Sequence, residues 1–454
     1  MVKDMTRGKP LQVILLFCGP LVLGSLFQQF YSMADTLIVG RFVGVTALAG
    51  VGSTGSLSFL VLGFVTGVCS GFSIPVAQHF GAGDYRRMRR SAAGAVLLSA
   101  GIALFLTTAT VLSTPAVLAL MDTPADILPD AYLYIVIVFG GIPATMLYNL
   151  LSGILRALGD SRTPLFFLTA AALLNIALDL VFILCFGMGV AGAAWATVLS
   201  QGISGLLCLL YILRRVPLLR LEREDWRPEP SELRQLLFMG LPMALQFSIT
   251  AVGTILIQAA VNALGSGVVA AVTAGNKVHN LLMSPLETMG ITMATYCGQN
   301  LGAERIDRVR AGLRASLGAC LLYCLFAMGA SVLLGAPLSR LFLTGEEVEE
   351  MVALSARFLA VNGFFCPALG LLLALRNSIQ GLGFGLPAMA AGAFELAARW
   401  AVAFWLVKPL HYLAICLANP AAWFAADLLL IWVYFRELPG LLRQYPPDPE
   451  TPLY

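Results

Sequence analysis

Two carboxylates, one amide and one hydroxyl in the first half of the chain have types and spacings that would let them act together. Asn175 and Asp179 are four residues apart, so their side chains lie on one face of a helix. Asp35 lies in an earlier apolar stretch and Thr197 in a later one. The two carboxylates of such a set can share a proton, and its oxygen atoms can equally bind a hard cation. The sequence predicts a proton or cation site and leaves that choice open.

The composition places these residues in a membrane. Of the 454 residues, 59% are hydrophobic and 12% are charged, and the mean hydropathy is +0.85. A charged side chain at the centre of a bilayer costs about 2.5–3.5 kcal/mol, so a carboxylate at that depth indicates a functional residue. Two structural alternatives remain: Asp35 at the membrane surface, and Asn175 and Asp179 in hydrogen bonds between helices.

The apolar stretches fall into two related halves. Windows of about 20 residues predict twelve transmembrane helices, six in each half, which begin near residues 12, 53, 91, 132, 163, 190, 236, 269, 311, 354, 386 and 413. The segment from Pro20 to Asp84 reappears, diverged, from Pro242 to Glu304, with nearly constant spacing between matching residues. Internal repeats of this kind are typical of transporters. The predicted fold is an all-α membrane protein with two pseudo-symmetric six-helix lobes and a substrate path between them.

Charge in the connections predicts the lobe boundaries and the orientation. The stretch 214–234 is rich in charge and proline and is expected to be a cytoplasmic linker between an N-lobe (1–213) and a C-lobe (235–436), with a cytoplasmic tail at 437–454. With the N-terminus in the cytoplasm, 21 of the 28 Lys and Arg residues lie on the cytoplasmic side. Positive charge is retained on that side, so both termini are predicted to be cytoplasmic.

The second lobe has charged and polar residues of its own. Glu395 and Arg399 are four residues apart, and an ion pair within one helix is favoured over a contact with substrate. Lys277 requires a partner, for which Glu395 is the candidate. The wider set of expected substrate-cavity residues, for most of which ordinary packing is the alternative, comprises Met33, Gln246, Lys277, Met283, Glu287, Glu395 and Arg399. A cationic wall would favour anionic or zwitterionic compounds over purely cationic ones.

Neither a cofactor nor a metal centre is expected. The nine cysteines lie almost wholly inside the predicted helices and have no metal-binding spacing with the three histidines, so they are interpreted as small hydrophobic residues. A membrane-embedded enzyme is the weakest alternative, since the chain has no G-x-S-x-G turn and no metal-spaced histidine set. The only ion expected is the H+ or Na+ of the Asp35 cluster.

Several motifs in order resemble those of the multidrug and toxic compound extrusion (MATE) family of bacteria. The resemblance covers nearly the whole chain and is carried by Pro20, Asp35, Gln78-His-Phe-Gly-Ala-Gly-Asp84, Leu155-Arg-Ala-Leu-Gly-Asp-Ser-Arg-Thr-Pro164, Asn175-Ile-Ala-Leu-Asp179 and Gly189-Val-Ala-Gly-Ala-Ala-Trp-Ala-Thr197. It implies the MATE-like fold of the MOP superfamily. It also implies that Asp35, Asn175, Asp179 and Thr197 form the N-lobe coupling site, with Pro20 as the hinge of the first helix.

The resemblance also suggests a branch of the family. Some members place acidic residues in the seventh and tenth helices, where this chain has Gln246, Gln258, Asn377 and Gln380. The chain is therefore expected to lack their C-lobe sodium site and to be more similar to the DNA-damage-inducible branch.

The predicted function is secondary active efflux from the bacterial cytoplasmic membrane. Drugs or amphipathic metabolites, as organic cations or zwitterions, would leave by antiport with H+ or Na+ through alternating access of the two lobes. The expected protein is a monomer among membrane lipids that binds no nucleic acid. The alternative is a flippase for lipid-linked precursors, which would need several cationic residues in the first lobe; the predicted helices of that lobe have almost none.

Overall fold

The computed structural model describes residues 4–121, 123–343 and 348–446, and these residues form helices and connecting turns with no strand. In chain order the helices are α1 (Pro10–Ile38), α2 (Val45–Ser53), α3 (Gly55–Gly81), α4 (Tyr85–Leu120), α5 (Leu128–Gly140), α6 (Ile142–Ala157), α7 (Arg162–Leu180), α8 (Val190–Arg215), α9 (Pro230–Asn262), α10 (Ser266–Gly302), α11 (Ile306–Arg340), α12 (Val348–Phe364), α13 (Cys366–Gly381), α14 (Gly385–Ala401), α15 (Val407–Leu410) and α16 (Tyr412–Gln444). Three π-helical turns, Val39–Val43, Val181–Cys185 and Val402–Leu406, continue α1, α7 and α14.

The predicted all-α membrane fold is confirmed. Within the described ranges, nine helical segments are long and apolar enough to cross a membrane, and two bent pairs, α5 with α6 and α12 with α13, raise the number to eleven. The remaining predicted span corresponds to α10, which has 37 residues. It does not pass the same test of apolarity, and it carries Lys277, His279 and Glu287. At the end of the chain, α16 continues to Gln444, inside the stretch predicted as a tail; residues 447–454 of that predicted tail lie outside the described residues.

Proline explains the two bends. The α5–α6 pair bends by 46° and the α12–α13 pair by 52°. In each pair a proline, Pro143 or Pro367, occupies the second position of the later helix. Proline has no backbone N–H to donate and disfavours helical geometry in the residue before it, so each helix stops and restarts in a new direction.

The backbone repeats its irregular features from one half to the other. The π-helical turns at Val181–Cys185 and Val402–Leu406 occupy equivalent places in the two halves, at the ends of α7 and α14. Residues with positive φ recur with nearly the same spacing: Gly44 (125°) with Gly265 (104°), Gly83 (71°) with Glu304 (60°), Gly159 (80°) with Gly383 (95°), and Gly189 (57°) with His411 (47°). Glycine adopts these angles without strain, whereas Glu304 and His411 carry a side chain there. The duplication seen in the sequence is therefore also a duplication of local structure.

The described chain divides into two compact units. The first consists mainly of Gly19–Ala244, and the second of Met5–Cys18 with the chain from Leu245 onward. Both divisions fall inside a helix and close to a proline, Pro20 in α1 and Pro242 in α9. Each unit has its own hydrophobic core: one around Phe72, Phe139 and Leu155, the other around Phe358, Ile415 and Cys416.

Small residues bring two helices of the first unit into close contact. Gly67 and Gly71 of α3 face Ala244 and Gly240 of α9. A Cβ atom on Gly71 would lie 2.5 Å from the Cα atom of Gly240, and one on Gly67 would lie 2.6 Å from the Cα atom of Ala244. Backbones approach this closely only where small residues recur every fourth position, which is a common helix contact in membranes. Any larger side chain at these glycines would separate the two helices.

Candidate functional site

The four residues predicted as a coupling site meet in the first unit. Asp35 is on α1, Asn175 and Asp179 are on α7, and Thr197 is on α8. Asp179 is 0% exposed and Asn175 is 1% exposed, while Asp35 is half-buried. We call this group the Asp35 cluster.

Asn175 connects Asp179 to α8. In the orientation of its amide that satisfies both ends, the nitrogen donates to Asp179 Oδ2 at 3.2 Å and the oxygen accepts from the backbone N–H of Thr197 at 3.2 Å. With the amide turned over, the nitrogen instead donates to the Thr197 hydroxyl at 3.4 Å. The first orientation is preferred because it gives the amide oxygen a donor and supplies a donor to a buried carboxylate. Asn175 thereby fixes the position of the Asp179 side chain.

The two carboxyl groups of the cluster interact with each other. The side chains of Asp35 and Asp179 are within hydrogen-bonding reach. Two ionised carboxylates have no proton to share, so a hydrogen bond between them requires one to be protonated. The Oδ1 atoms of both residues are buried and have no donor among the described residues. The pair therefore has free acceptor capacity for a proton or a cation.

Two tyrosines, which the sequence analysis missed, belong to the surroundings of the cluster. Tyr31 on α1 and Tyr134 on α5 both interact electrostatically with Asp35 and Asp179. Tyr31 precedes Asp35 by four residues, and this spacing on one helix face was a signal that could have found it. Tyr134 had no such signal, because its proximity depends on how α5 packs. A phenol near two carboxyl groups offers one more proton donor or oxygen ligand.

Local structure holds α7 at both of its ends. At its start the Asp160 carboxylate accepts from the backbone N–H of Thr163 at 3.0 Å and from the Thr163 hydroxyl at 2.7 Å, a helix-capping arrangement. Burial alone would raise the pKa of Asp160, but these hydrogen bonds hold its pKa below the ordinary value. At its end, α7 passes into the π-helical turn that begins two residues after Asp179. Such turns are frequent at functional sites.

The donor set of the Asp35 cluster is made of oxygen atoms. Two carboxylates, a hydroxyl and an amide are ligands that a hard cation accepts, and the same carboxylates can carry a proton. A transition-metal centre would require a group of at least three His, Cys, Asp or Glu side chains, and the described residues contain no such group. The geometry is consistent with either Na+ or H+.

The residues predicted to line a substrate cavity lie in both units. Met33 lies half-buried on α1 in the first unit. In the second unit, Met283 is buried, and Gln246 is buried in a 2.6 Å hydrogen bond that its Oε1 atom accepts from Gln380. The side chain of Glu287 is exposed, and it interacts electrostatically with Arg376.

Glu395 and Arg399 form the predicted ion pair, and a further arginine joins it. Arg399 Nη2 lies 3.5 Å from Glu395 Oε2, and Arg376 Nη1 donates to Glu395 Oε1 at 2.9 Å. The predicted pairing of Lys277 with Glu395 was wrong. Lys277 is exposed on α10, and its Nζ atom lies over the Phe342 ring, 5.5 Å from the centroid. Arg376 took the place of Lys277 because packing of α13 on α14, not charge alone, decides which cation reaches Glu395.

A duplicated set of membrane-spanning helices is typical of membrane transporters, and the buried oxygen atoms of the Asp35 cluster are consistent with ion coupling. The sequence model of the MatE family matches residues 20–181 and 242–405. The chain belongs to the MatE family, as the sequence motifs predicted. It is a multi-pass membrane transporter and not an enzyme, its transport is ion-coupled, and the flippase alternative is not supported.

Individual relatives cover most of the chain. The probable multidrug resistance protein YpnP of Bacillus subtilis is 30% identical over 84% of this chain and 84% of its own length. The probable multidrug resistance protein YoeA of the same organism is 28% identical over 93% of this chain and 92% of its own length. A solved outward-facing multidrug resistance MATE transporter of the MOP superfamily has a TM-score of 0.90 at 22% identity, over 96% of this chain and 98% of its own. At that identity the solved structure establishes the fold alone.

Proposed function

We propose that this protein exports small organic molecules from the bacterial cytoplasm in exchange for H+ or Na+ bound at the Asp35 cluster. The observation that carries the proposal is the pair of interacting carboxyl groups on α1 and α7, each with a buried oxygen that lacks a donor among the described residues. The names of YpnP and YoeA, probable multidrug resistance proteins, support drugs or amphipathic metabolites as substrates.

The cluster joins three helices, and this gives it a way to act on transport. Asp35 belongs to α1, whereas Asp179 and Asn175 belong to α7 and contact α8 through Thr197. Binding a proton or cation changes the attraction between α1 and α7, because it neutralises charge between them. In α1, Pro20 removes one backbone hydrogen bond and permits a bend. Occupancy of the cluster would thus select one shape of α1 over another.

Antiport follows only if the ion and the substrate favour different states. An ion that stabilises one shape of α1 weakens the binding of any substrate that needs the other shape, and the substrate weakens ion binding by the same factor. Alternating access of two lobes, the N-lobe at 1–213 and the C-lobe at 235–436, would turn this coupling into net export.

The placement in the cell completes the proposal. The excess of Lys and Arg in the connections supports a cytoplasmic position for both termini, for the 214–234 linker and for the tail. We propose a monomer in the cytoplasmic membrane, surrounded by lipid.

The test is efflux from proteoliposomes. Rhodamine 6G, a fluorescent organic cation, is loaded and its release is followed under an imposed pH gradient and then under a Na+ gradient. Asp35→Asn keeps the shape of the side chain and removes the charge, so we expect loss of gradient-driven release. Asp427→Asn is the matched control, because Asp427 is also a buried carboxylate in a helix but belongs to the second unit.

The outcomes separate the ion from the site. Release driven by only one gradient identifies the coupling ion. Loss of release in Asp35→Asn with retention in Asp427→Asn supports the Asp35 cluster as the coupling site. Release by Asp35→Asn at the wild-type rate would overturn the assignment.

A further inference from the structure

The duplication assigns each residue of the Asp35 cluster a counterpart in the second unit. Tyr31 with Gly253, Asp35 with Ile257 and Thr197 with Asn419 are 222 residues apart, and Tyr134 with Phe358 are 224 apart, spacings that the repeated backbone features also show; Tyr31 and Tyr134 are included here because they surround the cluster. Asn175 with Glu395 and Asp179 with Arg399 are 220 residues apart, one residue less than the 221 that separate the π-helical turns. The equivalent π-helical turns that follow α7 and α14 fix the counterparts on these two helices to within one residue. The second unit therefore has a position equivalent to the Asp35 cluster.

A cavity lies at this equivalent position. Four of the six counterparts, Ile257, Phe358, Arg399 and Asn419, line it, and the whole lining comes from the second unit. The volume open to the centre of a water molecule is about 60 Å³. Since about 10–15 Å³ of such volume holds one water molecule, the cavity has room for a small polar group such as a carboxylate.

Arg399 supplies the charge of the cavity. Its side chain is 7% exposed, and its Nη2 atom pairs with Glu395. Its Nη1 atom is buried and has no acceptor among the described residues. A buried guanidinium donor without an acceptor is costly inside a membrane. The cavity beside Arg399 can hold the missing acceptor.

A glycine makes room for this guanidinium. A Cβ atom on Gly253 would lie 3.1 Å from Arg399 Cδ and 3.2 Å from Arg399 Nη1. The counterpart of Gly253 in the first unit is Tyr31, which stands beside two carboxyl groups. The second copy thus has a guanidinium group where the first copy has a tyrosine and an acidic pair.

The lining attracts negative charge. Among the described residues that line the cavity, Arg399 is the only charged one, and the other polar members are Thr254, Gln258, Asn276 and Asn419. Outside the lining, Glu395 is shared between Arg376 and Arg399, so it does not compensate Arg399 alone. Glu287 and Asp427 also interact electrostatically with Arg376. Charged hydrogen bonds from a guanidinium group and amide N–H groups are the contacts that a carboxylate accepts.

We propose that this cavity binds the carboxylate of a transported organic anion or zwitterion through Arg399. The substrate class named here rests on the proposed export function, whereas the binding site itself does not. The Asp35 cluster and this cavity would then be two copies of one ancestral position, one for a cation or proton and the other for an anion.

The test compares two dyes that differ only at one carboxyl group. Rhodamine 19 carries a free carboxylate and is a zwitterion near neutral pH, and rhodamine 6G is its ethyl ester. Binding of each dye to the purified protein in detergent is measured by fluorescence polarisation without any gradient, so the result does not depend on whether efflux is ion-coupled. We expect the wild type to bind rhodamine 19 more tightly than rhodamine 6G.

Two arginine variants provide a matched comparison. Arg399→Gln and Arg376→Gln each leave Glu395 with one arginine, but only Arg399 lines the cavity. We expect Arg399→Gln to weaken rhodamine 19 binding by about tenfold or more, the effect of losing a hydrogen bond to a charged group, with little change for rhodamine 6G. Arg376→Gln should keep the preference for the free carboxylate.

A second variant covers the case in which Arg399→Gln does not fold. Asn276→Ala removes a half-buried amide of the lining, and we expect it to lower the preference for rhodamine 19 by a smaller factor. Equal binding of both dyes by the wild type would overturn the proposal. An equal loss of preference in Arg376→Gln and Arg399→Gln would also overturn it, since the effect would then come from Glu395 and not from the cavity.

Discussion

Two buried carboxylates of the second unit differ in their partners, and this difference predicts opposite effects of neutralising them. Glu395 contacts Arg376 at 2.9 Å and Arg399 at 3.5 Å, and all three side chains are largely buried. Asp427 is 3% exposed, and both of its carboxylate oxygens lack a hydrogen-bond donor among the described residues. A carboxylate with two cations is stabilised by them, whereas a carboxylate without donors is destabilised by burial.

The size of the Glu395→Gln effect follows from this geometry. Glutamine keeps the shape of the side chain but leaves two buried guanidinium groups facing each other. Breaking a buried ion pair costs about 3–5 kcal/mol. For 454 residues, an unfolding entropy of about 2.1 cal/mol/K per residue makes 1 kcal/mol equal to about 1 °C. We therefore expect the unfolding midpoint of Glu395→Gln to fall by about 3–5 °C, and that of Asp427→Asn to stay unchanged or rise.

The cysteines of the chain provide the assay. Among its nine free cysteines, eight are buried and Cys185 is exposed, so a dye that fluoresces on reaction with thiols reports unfolding in detergent above a small constant signal. Neither variant changes a cysteine. The reasoning would be refuted by an unchanged midpoint in Glu395→Gln, or by a fall in Asp427→Asn as large as that in Glu395→Gln.

Further predictions concern the backbone and the cap of α7. His411, at φ 47°, carries backbone strain of about 1–3 kcal/mol. His411→Gly is therefore expected to raise the unfolding midpoint, and Gly189→Ala is expected to lower it. A lower midpoint in His411→Gly together with a higher one in Gly189→Ala would contradict the strain argument. Gly71→Ala places a Cβ atom 2.5 Å from the α9 backbone and is expected to cost about 1–3 kcal/mol, measured by the same dye assay. Asp160→Ala removes a helix cap worth about 0.5–2 kcal/mol. The folded state holds the pKa of Asp160 below its ordinary value, so the charged cap stabilises the protein above about pH 4. The loss of stability in Asp160→Ala should therefore be full at pH 7 and shrink as the pH falls below about 4. An equal loss at pH 3 and pH 7 would contradict the role of the charge.

Local patterns in the sequence predicted the Asp35 cluster because its members have strong local signals. Asn175 and Asp179 share a helix face, and a carboxylate such as Asp35 in an apolar stretch stands out by its cost. The duplication was equally visible, since it preserves proline and glycine positions. Such features are encoded within a few residues and need no knowledge of packing.

Contacts between distant helices were less predictable. The sequence shows that both Arg376 and Lys277 are charged. Only the packing of α13 against α14 shows that Arg376, and not Lys277, reaches Glu395. Tyr134 had no periodic partner in the sequence. Asp427 carries the same local signal as Asp35, a single carboxylate in an apolar helix, and was nevertheless overlooked. The contacts of Arg376 and Tyr134 depend on residues that are far away in the chain.

The repeated backbone also bears on how the two buried sites could come to differ. Two identical half-length subunits encoded by one gene must carry the same residue at a given position in both copies. Once the copies are joined in one chain, each position mutates separately, so Asp179 and Arg399, which lie within one residue of equivalent positions, can hold opposite charges. The turn shared by Gly189 and His411 shows that the chain path was kept even where glycine was lost. Gene fusion thus allowed the side chains of the two copies to diverge, while the backbone of both copies kept the same conformation.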